Sequence, residues 1–226
     1  RLGNITGLTD AMVNRTAYEY DALNRVASAT DGNGNVTRFT YNERNDIVKV
    51  VNALGMERRY EYGLNGKVTA VTDFDGHAVK AVYDTSNRME IFEDKEGIQT
   101  AYAYDAMGNL AEEKMPNGGT HIYTYDKRNR VTSYTDELGG RTEYEYDANG
   151  NCTKISEPDG QVTFYTYDAL NRVIRMTEGD GLETVYEYTP LGQVSKVLYP
   201  GGLTKETVYD ACGRETQEKD IHGNII

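Results

Sequence analysis

The sequence predicts an all-β protein, a repeat array of 21-residue β-hairpins that forms a curled or spiralling antiparallel sheet. Three columns carry that expectation. A tyrosine recurs every 21 residues without insertion or deletion, from Tyr20, Tyr41 and Tyr62 through to Tyr188 and Tyr209. A glycine stands 14 residues after each of these ten tyrosines, from Gly34 to Gly223. Four residues after each tyrosine comes Asn or Gly, as at Asn24, Gly66 and Asn171. Self-similarity at a fixed period marks a repeat architecture and overrides the prior of one or two ordinary domains that 226 residues would set. No composition shift, proline-rich linker or low-complexity tract interrupts the columns. Residues 1–226 therefore read as a single array, with a partial unit over 1–19 and ten 21-residue registers from Tyr20. In the partial unit Gly3, Ile5 and Asp10 keep the columns and Val13 breaks the glycine rule.

Each unit opens with a strand that runs up to its marker tyrosine. The segment R-T-E-Y-E-Y before and including Tyr146 alternates aromatic and polar residues, the period-two sign of a half-buried strand. One face of that strand carries threonine, tyrosine and tyrosine, types that suit a pleated packed surface. A tight turn such as Asp21–Arg25 follows, because Asn and Gly tolerate positive φ and Asp bonds its own backbone two residues on. The next strand starts with an apolar column (Val26, Ile47, Val68, Cys152, Val194) in which Glu215 is the exception. A second apolar column lies three residues later, at Val50, Val71, Phe92 and Ile155, broken by Glu113 and Glu218. Three is odd, so a bulge or a change of face is required. A second turn, T-D-x-x-G, then carries the constant glycine. Helix is not expected, since no ten-residue segment keeps an i, i+3, i+4 apolar pattern. About 21 strands at roughly 4.8 Å each would make a sheet on the order of 100 Å wide, so the ribbon must coil. The repeated tyrosines are expected to stack in rows across neighbouring strands.

Composition excludes several function classes. The net charge of −12 argues against a nucleic-acid surface, which needs clustered Lys and Arg. No stretch reaches the roughly 20 apolar residues of a membrane-spanning helix. The chain begins at Arg1 in mid-pattern, as a piece of something longer would. The two cysteines, Cys152 and Cys212, occupy different columns, so no disulfide framework is expected.

The search for chemistry assigns no catalytic, cofactor-binding or metal-binding residue. His77, His121 and His222 fall in three different columns, whereas a metal site needs converging ligands. No G-x-S-x-G occurs, and no Cys–His pair has a recognisable spacing. The run D-G-N-G-N over Asp31–Asn35 lacks the distal Glu of a calcium loop and is one more T-D-x-x-G turn. Five turns repeat an aspartate followed four residues later by arginine: Asp21/Arg25, Asp84/Arg88, Asp126/Arg130, Asp168/Arg172 and Asp210/Arg214. The turn aspartate itself recurs in seven of the ten units. A residue recurring in most units is structural, because a catalytic site is used once. The pairs are read as structural too, the alternative being a polar rim that binds something.

The phrase Y-x-Y-D-x-x-G/N-R-V, with the later T-D-x-x-G, resembles the YD repeat of the RHS family over essentially the whole chain. YEYDALNRV at residues 18–26 returns as YTYDALNRV at 165–173. Asn42, Gly63 and Thr189 depart from the aspartate of the motif. Bacterial RHS polymorphic toxins, the C component of insecticidal toxin complexes, wall-associated proteins and teneurins share this repeat. The resemblance implies a long β-ribbon spiralling into a hollow shell, which in the toxins encloses a C-terminal toxic domain. It also implies a secreted or cell-surface location. The aspartyl self-cleavage segment that follows the repeats in those toxins is not found, and the chain is still in repeat at Asp220–Ile226.

The leading expectation is thus a non-catalytic structural scaffold whose partner is a C-terminal cargo of the same parent chain. The alternative is a carbohydrate-binding or adhesion module using its aromatic rows on a surface glycan, although the usual stacking residue, Trp, is absent. Detached sheet edges would favour edge-to-edge self-association.

Overall fold

The computed structural model describes residues 4–9 and 15–225. Gly3, Asp10 and Val13 of the partial unit lie outside them. The described residues are all-β: 21 strands and one short 3-10 turn at Pro200–Gly202. That turn replaces T-D-x-x-G by Tyr199-Pro-Gly-Gly, and it is the one departure from the helix-free expectation.

The strands group into two compact units. The first holds Arg1–Ala103 with Glu113–Gly118, the second Tyr104–Glu112 with Gly119–Ile226. In the first, every strand from Gly7–Thr9 to Gln99–Tyr104 pairs antiparallel with its sequence neighbours. In the second, the same holds from Thr120–Tyr125 to Glu215–Lys219. Six-residue strands ending on the marker tyrosine, such as Arg15–Tyr20, alternate with five-residue strands such as Val26–Thr30.

Both kinds of turn adopt one geometry. In the first kind the N–H of Asp21 donates to the carbonyl of Arg25 at 2.8 Å, and the N–H of Asn24 to the carbonyl of Asp21 at 2.9 Å. In the second kind Asp31, Gly34 and Asn35 repeat that pattern at 3.0 Å and 3.0 Å. The fourth residue takes a left-handed conformation in each, φ 69° at Asn24 and 83° at Gly34, as three-residue hairpin loops require.

The hairpins around the two turns nevertheless differ. Across the second turn the register is regular, Thr30 opposite Val36 and Ser28 opposite Arg38. Across the first it slips by one. Tyr20 faces Val26 while Glu19 faces Ser28, which leaves Ala27 as a bulged residue. The same slip occurs at Thr40/Tyr41, Glu145/Tyr146 and Thr166/Tyr167. This bulge resolves the odd spacing of the two apolar columns. Ile47 faces Tyr41 and Val50 faces Phe39, so both share the tyrosine face.

Each unit is a single layer of sheet. Among the described residues Ala70 is the one buried apolar residue, at 9% exposure, beside buried Ser28, Ser133 and Thr184. Ser28 and Ser133 lie on the face opposite the tyrosines, under flanking long side chains such as Glu19, whose Oε2 accepts from Ser28 Oγ at 2.8 Å.

Candidate functional site

The repeated surface is the candidate site, and the marker tyrosines organise it. In at least nine of the ten units the hydroxyl donates to the carbonyl fifteen residues earlier, which from Tyr41 onward is the first residue of the preceding short strand. Tyr41 reaches Val26 at 2.8 Å, Tyr62 reaches Ile47 at 2.7 Å, Tyr146 reaches Val131 at 2.7 Å and Tyr188 reaches Val173 at 2.6 Å. The rings also receive a cation from the preceding turn. Arg25 lies 4.6 Å from the centre of Tyr41, and Arg130 and Arg172 lie 4.4 Å from Tyr146 and Tyr188. A hydroxyl–carbonyl bond and a guanidinium cap thus recur among the described residues. The register sets an apolar residue opposite the marker ring, Ile47 at Tyr41, Val68 at Tyr62 and Cys152 at Tyr146, where rows of stacked rings were expected from the sequence. A tyrosine ring pair does occur at Tyr123 and Tyr134, with centres 5.2 Å apart. Burial pushes the phenols of Tyr62, Tyr125, Tyr146, Tyr167 and Tyr188 above their ordinary value.

All five Asp/Arg pairs close across their turns, at 2.6 to 2.8 Å. At Asp168 one carboxylate oxygen accepts from the N–H of Leu170 and of Arg172, and the other accepts from Arg172 Nε at 2.7 Å. These bonds hold the carboxyl groups below the ordinary aspartate range. The arginine does so through its guanidinium first at Asp126 and Asp168, and through its backbone N–H first at Asp21, Asp84 and Asp210.

Successive first turns are joined to one another. Arg25 Nη1 donates to Asn45 Oδ1 at 2.9 Å, Asn65 Nδ2 to Asn87 Oδ1 at 2.6 Å, and Asn151 Nδ2 to Asn171 Oδ1 at 2.8 Å. Asn4 likewise donates to Asn24 and Asn109 to Asn129. Where glycine holds the left-handed position the donor takes a backbone carbonyl instead, as Arg44 does at Leu64 (3.0 Å) and Gln193 at Gly213 (2.8 Å).

Charge separates the two rows of turns. In the second unit the first-turn loops balance five acids (Asp105, Asp126, Asp147, Asp168, Asp210) against five bases (Lys127, Arg128, Arg130, Arg172, Arg214). The second-turn loops there carry Asp136, Glu137, Glu157, Asp159, Glu178, Asp180 and Asp220 with no Lys or Arg. On the face opposite the tyrosines, cross-strand pairs such as Lys80–Glu93 (2.7 Å) and Lys154–Glu145 (2.8 Å) match charge with charge.

The residues screened for chemistry stay apart. His77 contacts Asp75 at 3.2 Å on an exposed loop, and His222 lies in the turn headed by Asp220. His121 sits in the threonine column of a strand, 2.8 Å from Glu137 and edge-on to Tyr134. Among the described residues no three His, Cys, Asp or Glu are placed to hold a metal ion. Cys152 and Cys212 are both free thiols, and burial raises the Cys152 thiol above its ordinary value. An open groove of 790 Å³, lined by Glu61, Leu64, Lys80, Tyr83 and Asn87 among others, holds no nucleophile beside an oriented base.

The RHS Repeat family matches the chain at residues 1–36, 20–56, 41–78, 125–163 and 167–204. None of the curated proteins compared matches it in sequence. Among solved structures it is similar to the crystal structure of TcdB2-TccC3-Cdc42, at TM-score 0.69 and 14% identity over 96% of this chain. The crystal structure of TcdB2-TccC3 gives the same three values. The Photorhabdus luminescens Tc holotoxin pore gives TM-score 0.53 at 14% identity over 96% of this chain. This chain spans 13%, 14% and 15% of those three chains. At such identities the likeness shows the fold alone. The repeat matches, by contrast, cover most of the sequence and fall on the units whose turns and tyrosines have just been described, and the chain belongs to the RHS repeat family.

Proposed function

We propose that this chain is a non-catalytic length of wall in a large RHS-type protein, part of a β-shell that encloses or displays a C-terminal polypeptide toxin of the same parent chain. The protein would act outside the cell, as a secreted or surface-exposed molecule. The observation that carries the reading is the near absence of a buried core among the described residues, where Ala70 is the one buried apolar side chain. The accessible surface is 15127 Å², where a compact monomer of this mass would expose about 10,000 Å². A sheet of one layer leaves both faces uncovered, and a wall with contents is the arrangement in which such a layer has a use. The tyrosine face suits that role. The marker hydroxyls on it are engaged by its own backbone, and around them it offers a contained chain ring edges, threonine methyls and the hydroxyls of residues such as Tyr144.

The work is confinement, with no bond made or broken by these residues. The test is limited proteolysis of the intact parent protein, followed by mass mapping of its C-terminal segment. Protection of that segment until the repeat region is cut is the expected result. Digestion of the segment at the rate of an exposed tail would sink the reading.

A further inference from the structure

The sequence contains the pairs Asn33–Gly34, Asn65–Gly66, Asn117–Gly118 and Asn149–Gly150. An Asn followed by Gly is open to a spontaneous reaction, because glycine has no side chain to block the approach of its own nitrogen. We propose that Asn33 is a deamidation site of the folded protein, and that the joined row of first turns protects Asn65 and Asn149 from the same chemistry.

All three asparagines are exposed. In each pair the glycine N–H that would attack is held in the turn: Gly34 by the carbonyl of Asp31 at 3.0 Å, Gly66 by Gly63 at 3.0 Å, Gly150 by Asp147 at 3.3 Å. Reaction therefore needs the turn to open. The turns differ in what opening breaks. Asn65 Nδ2 donates to Asn87 Oδ1 at 2.6 Å, and its Oδ1 accepts from the N–H of Lys67 at 3.0 Å. Asn149 Nδ2 donates to Asn171 Oδ1 at 3.1 Å, and Asp147 Oδ1 gives the Gly150 N–H a second acceptor at 2.8 Å. The Asn33 carboxamide has no hydrogen bond among the described residues. Only its backbone N–H is engaged, with Asp31 Oδ1 at 2.9 Å. Asn33 lies in a second turn, outside the joined row. Asn117 has a contact of its own and takes no part in the comparison.

The step balances without a cofactor. The Gly34 nitrogen gives up its proton to water and bonds to Cγ of Asn33. The Cγ–Nδ2 bond breaks, and ammonia leaves with a proton from water. The resulting succinimide adds one water at either carbonyl, giving aspartate or isoaspartate. Each conversion puts a carboxylate beside Asp31. The isoaspartate product also lengthens the backbone inside a loop that closes on five residues.

The experiment holds the purified chain folded in mildly alkaline buffer and follows its tryptic peptides by mass. Arg25 and Arg38 bound one peptide, Arg59 and Lys67 the second, Arg141 and Lys154 the third, so each pair is read separately. Asn33 is expected to convert at least about ten-fold faster than Asn65 or Asn149, because local opening sets reactivity in a folded chain. In denaturant the three rates should converge. Equal rates in the folded chain, or the same ranking in denaturant, would overturn the proposal. Asn87→Gly supplies the direct control. It keeps a residue suited to positive φ and removes the carboxamide that holds Asn65. The Asn65 rate should then rise towards that of Asn33, and an unchanged rate overturns the protective role of the row.

Discussion

At the scale of single residues, five asparagines do two things at once. Asn24, Asn45, Asn87, Asn129 and Asn171 take φ between 60° and 69°, and each offers its Oδ1 to a side chain of the preceding turn. Glycine satisfies the first requirement and not the second. In Asn171→Ala the left-handed conformation alone should cost about 1–2 kcal/mol. In Asn171→Gly the loss should be smaller, about 1 kcal/mol or less for exposed hydrogen bonds. Urea midpoints of the two variants decide it, and equal losses would remove backbone conformation as the cause. The marker tyrosine has a similar test. Tyr146→Phe deletes the 2.7 Å bond to Val131 and should destabilise by about 1 kcal/mol. Tyr144→Phe, on the same strand without that bond, should change the midpoint far less.

At the scale of the element, the turn is where pH acts. The Asp126 and Asp168 carboxyls sit below their ordinary value of 3.8, so their contribution is complete above it and is lost as pH falls through the lower folded values. The tyrosine phenols are raised above 10.0, so theirs is complete below that value and is lost as pH rises through the higher folded ones. Far-ultraviolet circular dichroism across pH should therefore show a broad plateau with a loss at each end. Loss of structure between pH 5 and 8, where His titrates, would contradict this account. The turns were legible in the sequence because positive φ restricts residue type to Asn and Gly, and because Asp and Arg are complementary charges. The tyrosine face was legible because a strand's period is two. The position of the bulge was not, since its column holds Ala27, Val48, Thr69 and Thr153, which share no chemistry. The tyrosine partner was not either, because it is a backbone carbonyl and any residue supplies one.

At the scale of the whole molecule, interactions are between neighbours and stability accumulates unit by unit, as in other repeat arrays. The acidic loops of the second unit repeat at about two strand spacings, roughly 9.6 Å, close to the screening length of about 10 Å at 0.1 M salt. Raising salt from about 0.01 M to about 1 M should therefore raise the thermal midpoint, as repulsion along the second turns is screened. A fall would mean that the Asp/Arg pairs of the first turns dominate. The bonds between successive turns have one more consequence, which concerns heredity. They span 20 to 22 residues, so they tie each hairpin to the next by phase and by nothing else. YEYDALNRV and YTYDALNRV stand 147 residues apart, seven whole periods. Recombination between the stretches of gene that encode them would excise Asp21–Tyr167 and join Tyr20 to Asp168. Asn4 would then meet Asn171 where it now meets Asn24, and Tyr188 would still find the carbonyl of Val173. The shortened chain should fold cooperatively with a lower midpoint, whereas an excision offset by one residue leaves a hairpin out of phase with both of its neighbours. A gene built this way can lengthen or shorten in whole periods without designing a new junction.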